Sequence, residues 1–510
     1  MSFRRVGGLI AVALATFLWG SCGEVYRPVV IPTTNTPPNP ANFHAVFGIS
    51  SNVSFNQGTA MQIDVSGDSD IGVANVGVNP THLAALPNNS RLFVASAGSL
   101  FAGQADLVAS FNPATDSTTA TGLGMLSTAT LPYGSLPVYV TTTQSSTVYV
   151  ANYGTNSVSA IDAINIVVDQ TTVVGNHPVA LVETPNGQSL YVLNQGDNTI
   201  TNLSTTDLTP MTTVPATIAV GKIPVWAAMR PDGQRLYVLT QGDGQLYTID
   251  TATNLQVQGS PQSVGGPGAN YVLYDTSRNR LYVTNPDAGA VYVFDATTDP
   301  PTPMGSATGA ISIPRPPIPA NTPACTSGKC SYGPVMPMSV AALPDGSRFY
   351  VASYVQPSAG SPCPDPNVTA AGCLIPQVTV FDAGNFYMDG QVVVKSTVFP
   401  ILSPVTTPAS GVQPFALAPA AFCAPVVPYT PASARFRMSA AAAADSSRVY
   451  ASLCDGGLIA IVNTTTSTIA TGSNSPDTFV TDLVAPFSAG TPGSNGEPPP
   501  QNPVFLLTGQ

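Results

Sequence analysis

A chain of 510 residues with 44% hydrophobic and only 8% charged side chains has ample material for a core, but it must solvate itself with Ser, Thr, Asn, Gln and Gly. A formal net charge of -11 and just three lysines (Lys222, Lys329 and Lys395) leave no basic surface for nucleic acid, which excludes that class of partner. The acidity is mild and dispersed, and it reads as solubility rather than recognition.

The amino terminus reads as an export signal. Arg4 and Arg5 precede an apolar run from Val6 to Leu18 that is too short to span a bilayer. Gly20 and Ser21 then lead into Cys22 and Gly23. This stretch resembles the lipobox of bacterial lipoproteins, although Trp19 stands where that family has a Leu. The resemblance implies that residues 1–21 are removed and that Cys22 becomes a lipidated first residue, with more than one acyl chain and hence a stable anchor. The alternative is an ordinary cleaved signal with an incidental Cys. Pro28, Pro32, Pro37, Pro38 and Pro40 make the following segment, residues 22–58, a stiff and extended tether. The expected location is the outer membrane or cell surface, or alternatively the periplasm or the medium.

Residues 59–510 read as one repeating domain. The frame is clearest from Ile223 to Asp250: a Pro, an apolar run, a Pro-Asp-Gly turn, an aromatic-Val pair, a Gly-rich turn and a strand ending in Asp. Pro224 lies 13 positions before Tyr237, as Pro80 lies before Phe93, Pro178 before Tyr191, Ala269 before Tyr282 and Pro337 before Tyr350; Pro137 lies 12 before Tyr149. A second interval of 13 joins Tyr149 to Asp162, Tyr237 to Asp250, Tyr282 to Asp295 and Tyr450 to Asn463. Short apolar or alternating runs bounded by turn residues, about four per unit, predict strand, turn and strand throughout. A single such sheet cannot bury both faces, and radial packing of the units does so while leaving short edges. The fold class is therefore all-β, a β-propeller of four-stranded blades.

Eight blades are expected, with seven as the alternative. The chain ends after PVFLLTGQ, with one unit incomplete, while Met61–Ser66 and Ile71–Gly77 read as outer strands without inner ones. Inner strands from the carboxyl terminus would complete that sheet, and Phe505 is assigned its aromatic position. The unit before it is read from Pro414 through Tyr450.

The motifs YVAN (Tyr149–Asn152), YVLN (Tyr191–Asn194) and YVTN (Tyr282–Asn285) resemble the YVTN-type repeats of bacterial lactonase-like and surface-layer propellers. That resemblance covers roughly residues 60–510 and bears on fold far more than on activity.

With Cys22 set aside as lipidated, six of the seven cysteines remain, an even set suited to an oxidising compartment. Local spacing suggests Cys325–Cys330, Cys363–Cys373 and Cys423–Cys454. No CxxC spacing points to a redox or zinc site.

A propeller places ligands at the mouth of its channel, on segments that enter the innermost strands. His82, Asn176, His177, Lys222, Asn270 and Gln413 are the candidates there. Glu occurs only at Glu24, Glu183 and Glu497, and no carboxylate pair has general acid/base spacing. His44, His82 and His177 are too few and too scattered for a metal ring, and Asp64, Asp68 and Asp70 lack the EF-hand pattern. No metal or cofactor is expected. The third-strand aspartates recur too regularly to be one active site and read as acceptors for turn amides. Arg91, Arg235, Arg280, Arg348 and Arg448 precede second strands and read as pairing partners at the rim. The leading functional expectation is a lipid-anchored envelope module that binds a small ligand or an envelope protein without catalysis; the alternative is a periplasmic enzyme of lactonase-like type.

Overall fold

The computed structural model describes residues 44–52, 57–87, 89–98, 105–113, 123–142, 147–315, 330–363, 374–383, 398–400, 423, 438–454, 458–464, 478–484 and 501–509. These form eight antiparallel sheets of four strands, two of which carry one further short strand. The innermost strands are Pro80–Ala85, Pro137–Thr142, Pro178–Glu183, Pro224–Met229, Tyr271–Asp275, Tyr332–Ala342, Ala440–Ala442 and Gln501–Thr508, in blades one to eight. Each neighbours the next, and Gln501–Thr508 touches both Ala440–Ala442 and Pro80–Ala85, so the ring is closed. The expected eight-bladed propeller is the observed fold.

The second strands show why the repeat motif recurs. Tyr149, Tyr191, Tyr237, Tyr282, Tyr350 and Tyr450 are all buried, because each lies in a strand covered by sheets on both sides. Several of these phenols reach the next blade. Tyr149 Oη donates to the Thr205 carbonyl at 3.3 Å, Tyr191 Oη to Asn254 Oδ1 at 2.7 Å, and Tyr450 Oη to Asp68 Oδ1 at 3.2 Å. Desolvation pushes the Tyr191 phenol up to about 12, so it stays a donor throughout the physiological range.

The recurrent arginines also link blades. Arg235 bridges Asp250 of its own blade and Asp299 of the next, at 2.9 and 2.8 Å, and Arg448 binds Asp68. Arg280 Nη1 donates to the Ala383 carbonyl at 2.7 Å, and Arg91 to those of Ala163 and Ile164. The third-strand aspartates accept from turn amides as expected: Asp162 from Ile164 N at 2.6 Å, Asp250 from Ala252 N at 2.9 Å and Asp295 from Thr297 N at 2.9 Å. Those amides hold the Asp162 carboxyl below its ordinary range.

Closure differs in detail from the expectation. The eighth sheet takes only its innermost strand, Gln501–Thr508, from the carboxyl terminus; the other three are Ala45–Asn52, Gln57–Asp64 and Ser69–Val78. Ala45–Asn52 falls inside the stretch read as tether, yet it pairs on both sides, Phe47 opposite Gln62 and Leu507. Phe47, 1% exposed, therefore holds the aromatic second-strand position assigned to Phe505, and Phe505 lies on the innermost strand. Thr478–Val484 is the outermost strand of blade seven. The inner strand of that blade is Ala440–Ala442, opposite Val449–Ala451, rather than a segment at Pro414, which lies outside the described residues with Gln413.

Cys423 and Cys454 form a disulfide, both fully buried. Cys330 and Cys363 are each disulfide-bonded, while Cys22, Cys325 and Cys373 lie outside the described residues. Asn502 ties the bridge to the closing strand, its Nδ2 donating to the Cys454 carbonyl at 2.8 Å.

Candidate functional site

The two ends of the ring differ. At the end where the chain enters each inner strand, the residue just before the leading proline is left-handed in four blades: Asn79, Leu136, His177 and Ile223, with φ between 46° and 57°. That conformation is unfavourable for His and more so for β-branched Ile. The preceding blade holds it: His177 N donates to Asn156 Oδ1 and Ile223 N to Asn198 Oδ1, both at 2.8 Å. Asp106 does the same for Leu136 N, and burial raises its carboxyl while three backbone amides of that turn lower it.

The sequence candidates at this end are thus engaged in building it. Asn176 is exposed, and both its backbone N and its Nδ2 donate to the Asp197 carboxylate at 2.6 Å. Lys222 is exposed, and its backbone N donates to Asp243 at 3.1 Å. The His177 ring is exposed and stacks on Tyr153, with centroids 4.4 Å apart. Asn270 is not at the mouth: it is buried between blades five and six, donating to the Met338 carbonyl at 2.9 Å and accepting from Thr284 Oγ1 at 2.7 Å.

His82 is at the axis. Strand register makes one position equivalent in all eight blades: His82, Tyr139, Ala180, Trp226, Tyr271, Ser339 and Phe505 on the inner strands, and Ser439, whose carbonyl accepts from Ser452 N, immediately before Ala440–Ala442. Five of these are rings, and they meet one another. His82 stacks on Tyr139 at 4.0 Å and lies 4.4 Å from Phe505 and 6.0 Å from Trp226, which comes from the far side of blades two and three. Trp226 is in turn 5.4 Å from Tyr139 and 5.3 Å from Tyr271. The centroid spacings are those of packed aromatic pairs, so five blades together plug the centre. Burial pushes the Tyr271 phenol up. His82 Nδ1 lies 3.0 Å from the Val140 carbonyl, which can only accept; Nδ1 therefore carries the proton and Nε2 the lone pair of the neutral ring. This aromatic set was missed in the sequence, though it could have been found by reading the second residue after each leading proline.

At the other end the plug floors a funnel with two lobes. One lobe, of about 280 Å³, is lined by His82, Tyr139, Thr141, Thr142 and Asn89; the other, of about 330 Å³, by Tyr271, Phe505, Leu273 and Asp275. Leu507 and Thr508 line both, so the closing strand is the ridge between them. Glu183 ends the inner strand of blade three at this same end; it is buried, and desolvation pushes its carboxyl up to about 7. Among the described residues, no three His, Cys, Asp or Glu side chains are grouped to hold a metal. Asp64, Asp68 and Asp70 are separately committed, to Ser66, Arg448 and Gly72.

A family profile described as lactonase, 7-bladed beta-propeller, matches residues 69–178, from the outer strand of the closing blade to the start of the third. No curated protein matches the chain. Among solved structures it is similar to the periplasmic gluconolactonase of Pseudomonas aeruginosa, with 16% identity, a TM-score of 0.47, and coverage of 70% of this chain and 96% of that one. A candidate 6-phosphogluconolactonase from Bacteroides fragilis gives 13% identity, a TM-score of 0.47, and coverage of 93% and 100%. Hydrazine synthase of Kuenenia stuttgartiensis gives 17%, 0.40, and coverage of 62% and 73%. The segment that carries His82 and Tyr139 is therefore lactonase-like in sequence, within a ring that has eight blades rather than seven.

Proposed function

We propose that this protein is an exported propeller of lactonase-like type that binds a cyclic ester in the funnel and opens it. The observation that carries the reading is the coincidence of the family match with the funnel: residues 69–178 supply the two rings, His82 and Tyr139, that floor one lobe. In ester opening, water adds to the ring carbonyl, the ring C–O bond breaks, and the water proton passes to the released alkoxide. We assign that transfer to His82, the imidazole of that lobe, whose Nδ1–H is fixed on the Val140 carbonyl and whose Nε2 is buried in the plug. The aromatic floor excludes water from beneath the bound ring.

Hydrolysis of δ-lactones by purified protein tests the reading. Turnover that falls at least about a hundredfold in His82→Gln supports it; affinity without turnover in the unaltered chain would replace it with a binding module. The signal-like Arg4–Leu18 run and Cys22 support export and lipid anchoring. Incorporation of labelled palmitate that disappears in Cys22→Ser would support the anchor, and unlabelled protein would remove it.

A further inference from the structure

The chemistry of the funnel narrows what it can hold. Its accessible lining is mixed, with Leu86, Tyr139 and Thr141 in one lobe, Tyr271, Leu273 and Phe505 in the other and Leu507 between them, and among the described residues no Lys or Arg lines either lobe. The carboxylate in the larger lobe, Asp275, is already engaged: it accepts from Ser277 N at 2.9 Å, Ser277 Oγ at 2.6 Å, Arg278 N at 3.2 Å and Tyr282 Oη at 3.4 Å. Thr508 Oγ1 donates to the Ala442 carbonyl at 2.6 Å, and Thr142 Oγ1 to that of Ala85. A phosphate entering here would lose its hydration and meet a carboxylate and phenols instead of a guanidinium or ammonium. The chain's net charge of -11 adds long-range repulsion. A neutral ring, by contrast, can lie on Tyr139 or Phe505 and place an alkyl arm along Leu86, Leu273 or Leu507, which are part-exposed.

We infer that the funnel selects uncharged cyclic esters with an apolar arm and rejects phosphorylated sugar derivatives. This rests on the reading above that the funnel is the ligand site, and it sets the substrate class within that reading.

Trp226 gives a direct test, because it packs in the plug and the only other of the chain's two tryptophans is Trp19 in the signal region. In protein carrying Trp19→Phe, all indole emission comes from beneath the funnel. Titration with δ-decalactone is expected to give a saturable change in that emission. Glucono-δ-lactone, which lacks the alkyl arm, should bind at least about tenfold more weakly, and 6-phosphogluconate more weakly still. Binding of 6-phosphogluconate as tight as that of δ-decalactone would overturn the selectivity while leaving the funnel a ligand site. Silence with all three would overturn both. Leu507→Arg, which sets a cation on the ridge between the lobes, should reverse the order by weakening δ-decalactone roughly tenfold and admitting 6-phosphogluconate. Thr141→Arg makes the same test from the other wall if the first variant does not fold. An unchanged order of affinities in a folded variant would count against the inference.

Discussion

Arg448 in the seventh blade directs its Nε at both carboxylate oxygens of Asp68 in the eighth, at 2.9 and 3.0 Å, across 380 positions of sequence. Tyr450 Oη adds a third bond to the same carboxylate at 3.2 Å. The side chains are 20% and 14% exposed, so solvent screens the pair only in part. Asp68→Asn keeps the shape and removes the charge, and it should cost about 1–3 kcal/mol by urea denaturation. Arg235 and Asp299 link blades four and five in the same way, with Asp299 31% exposed. Asp299→Asn should cost less, below about 1 kcal/mol. Equal costs would mean that the seam between blades seven and eight has no special dependence on its ion pair.

Removing residues 501–510 deletes the inner strand of the closing blade and opens the ring. Loss of a whole strand with its buried Val504 and Leu506 should lower the melting temperature by at least about 10 °C. A melt unchanged by this truncation would show that the other three strands of that blade hold without an inner partner.

The Cys423–Cys454 bridge closes a separation of 31 residues next to that strand. Replacing both cysteines by Ser should cost about 3–4 kcal/mol on the loop-entropy account. Asn502→Ala, which leaves the Cys454 carbonyl without its 2.8 Å donor, should cost about 1 kcal/mol on its own. Because both changes act on one contact, the combined cost should fall short of the sum. Strict additivity in denaturant melts would argue that bridge and amide act separately.

Glu183 should make stability depend on pH. Its folded carboxyl titrates at about 7 against an ordinary 4.5, with burial as the cause. Between those values the folded chain keeps a proton that the unfolded chain has lost. Stability from this group is therefore full below about pH 4.5 and lost as pH rises to about 7, by about 3 kcal/mol in all. Glu183→Gln should remove that slope and be the more stable form at pH 8. Parallel stability–pH curves for the two proteins would contradict the buried carboxyl.

The blade frame was legible because its markers have separate physical jobs. The tyrosines fill the space between sheets and bond the next blade, the aspartates cap turns, and the arginines clamp neighbouring turns, so each unit must repeat them. Where a marker is missing, the frame is not legible. Thirteen positions before Phe47 stands Thr34 rather than a proline, because the inner partner of Ala45–Asn52 lies at the opposite end of the chain. Thirteen positions before Tyr450 stands Arg437 rather than a proline, which shifted the inner strand of blade seven to Pro414. The site was less legible than the frame. His82 and His177 looked alike beside their prolines, yet one follows its proline by two positions and lies at the axis, whereas the other precedes its proline and is exposed. The polar side chains on the entering segments are conspicuous in the sequence, but at that end of the ring they serve as backbone clips.

The shared closing blade sets an order of events. Ala45–Asn52 is the first of the described strands to be synthesised, and Gln501–Thr508 is the last. Until those final residues emerge, the first-made sheet lacks its inner strand and seven blades stand as an open arc. Such a distant pairing is slow to form and leaves edges exposed in the meantime. Completion of the ring is therefore a late and all-or-none step, and it is the same step that raises the ridge of Leu507 and Thr508 between the two lobes. A chain interrupted before Gln501 would lose the inner seam of the closing blade and part of the funnel floor together.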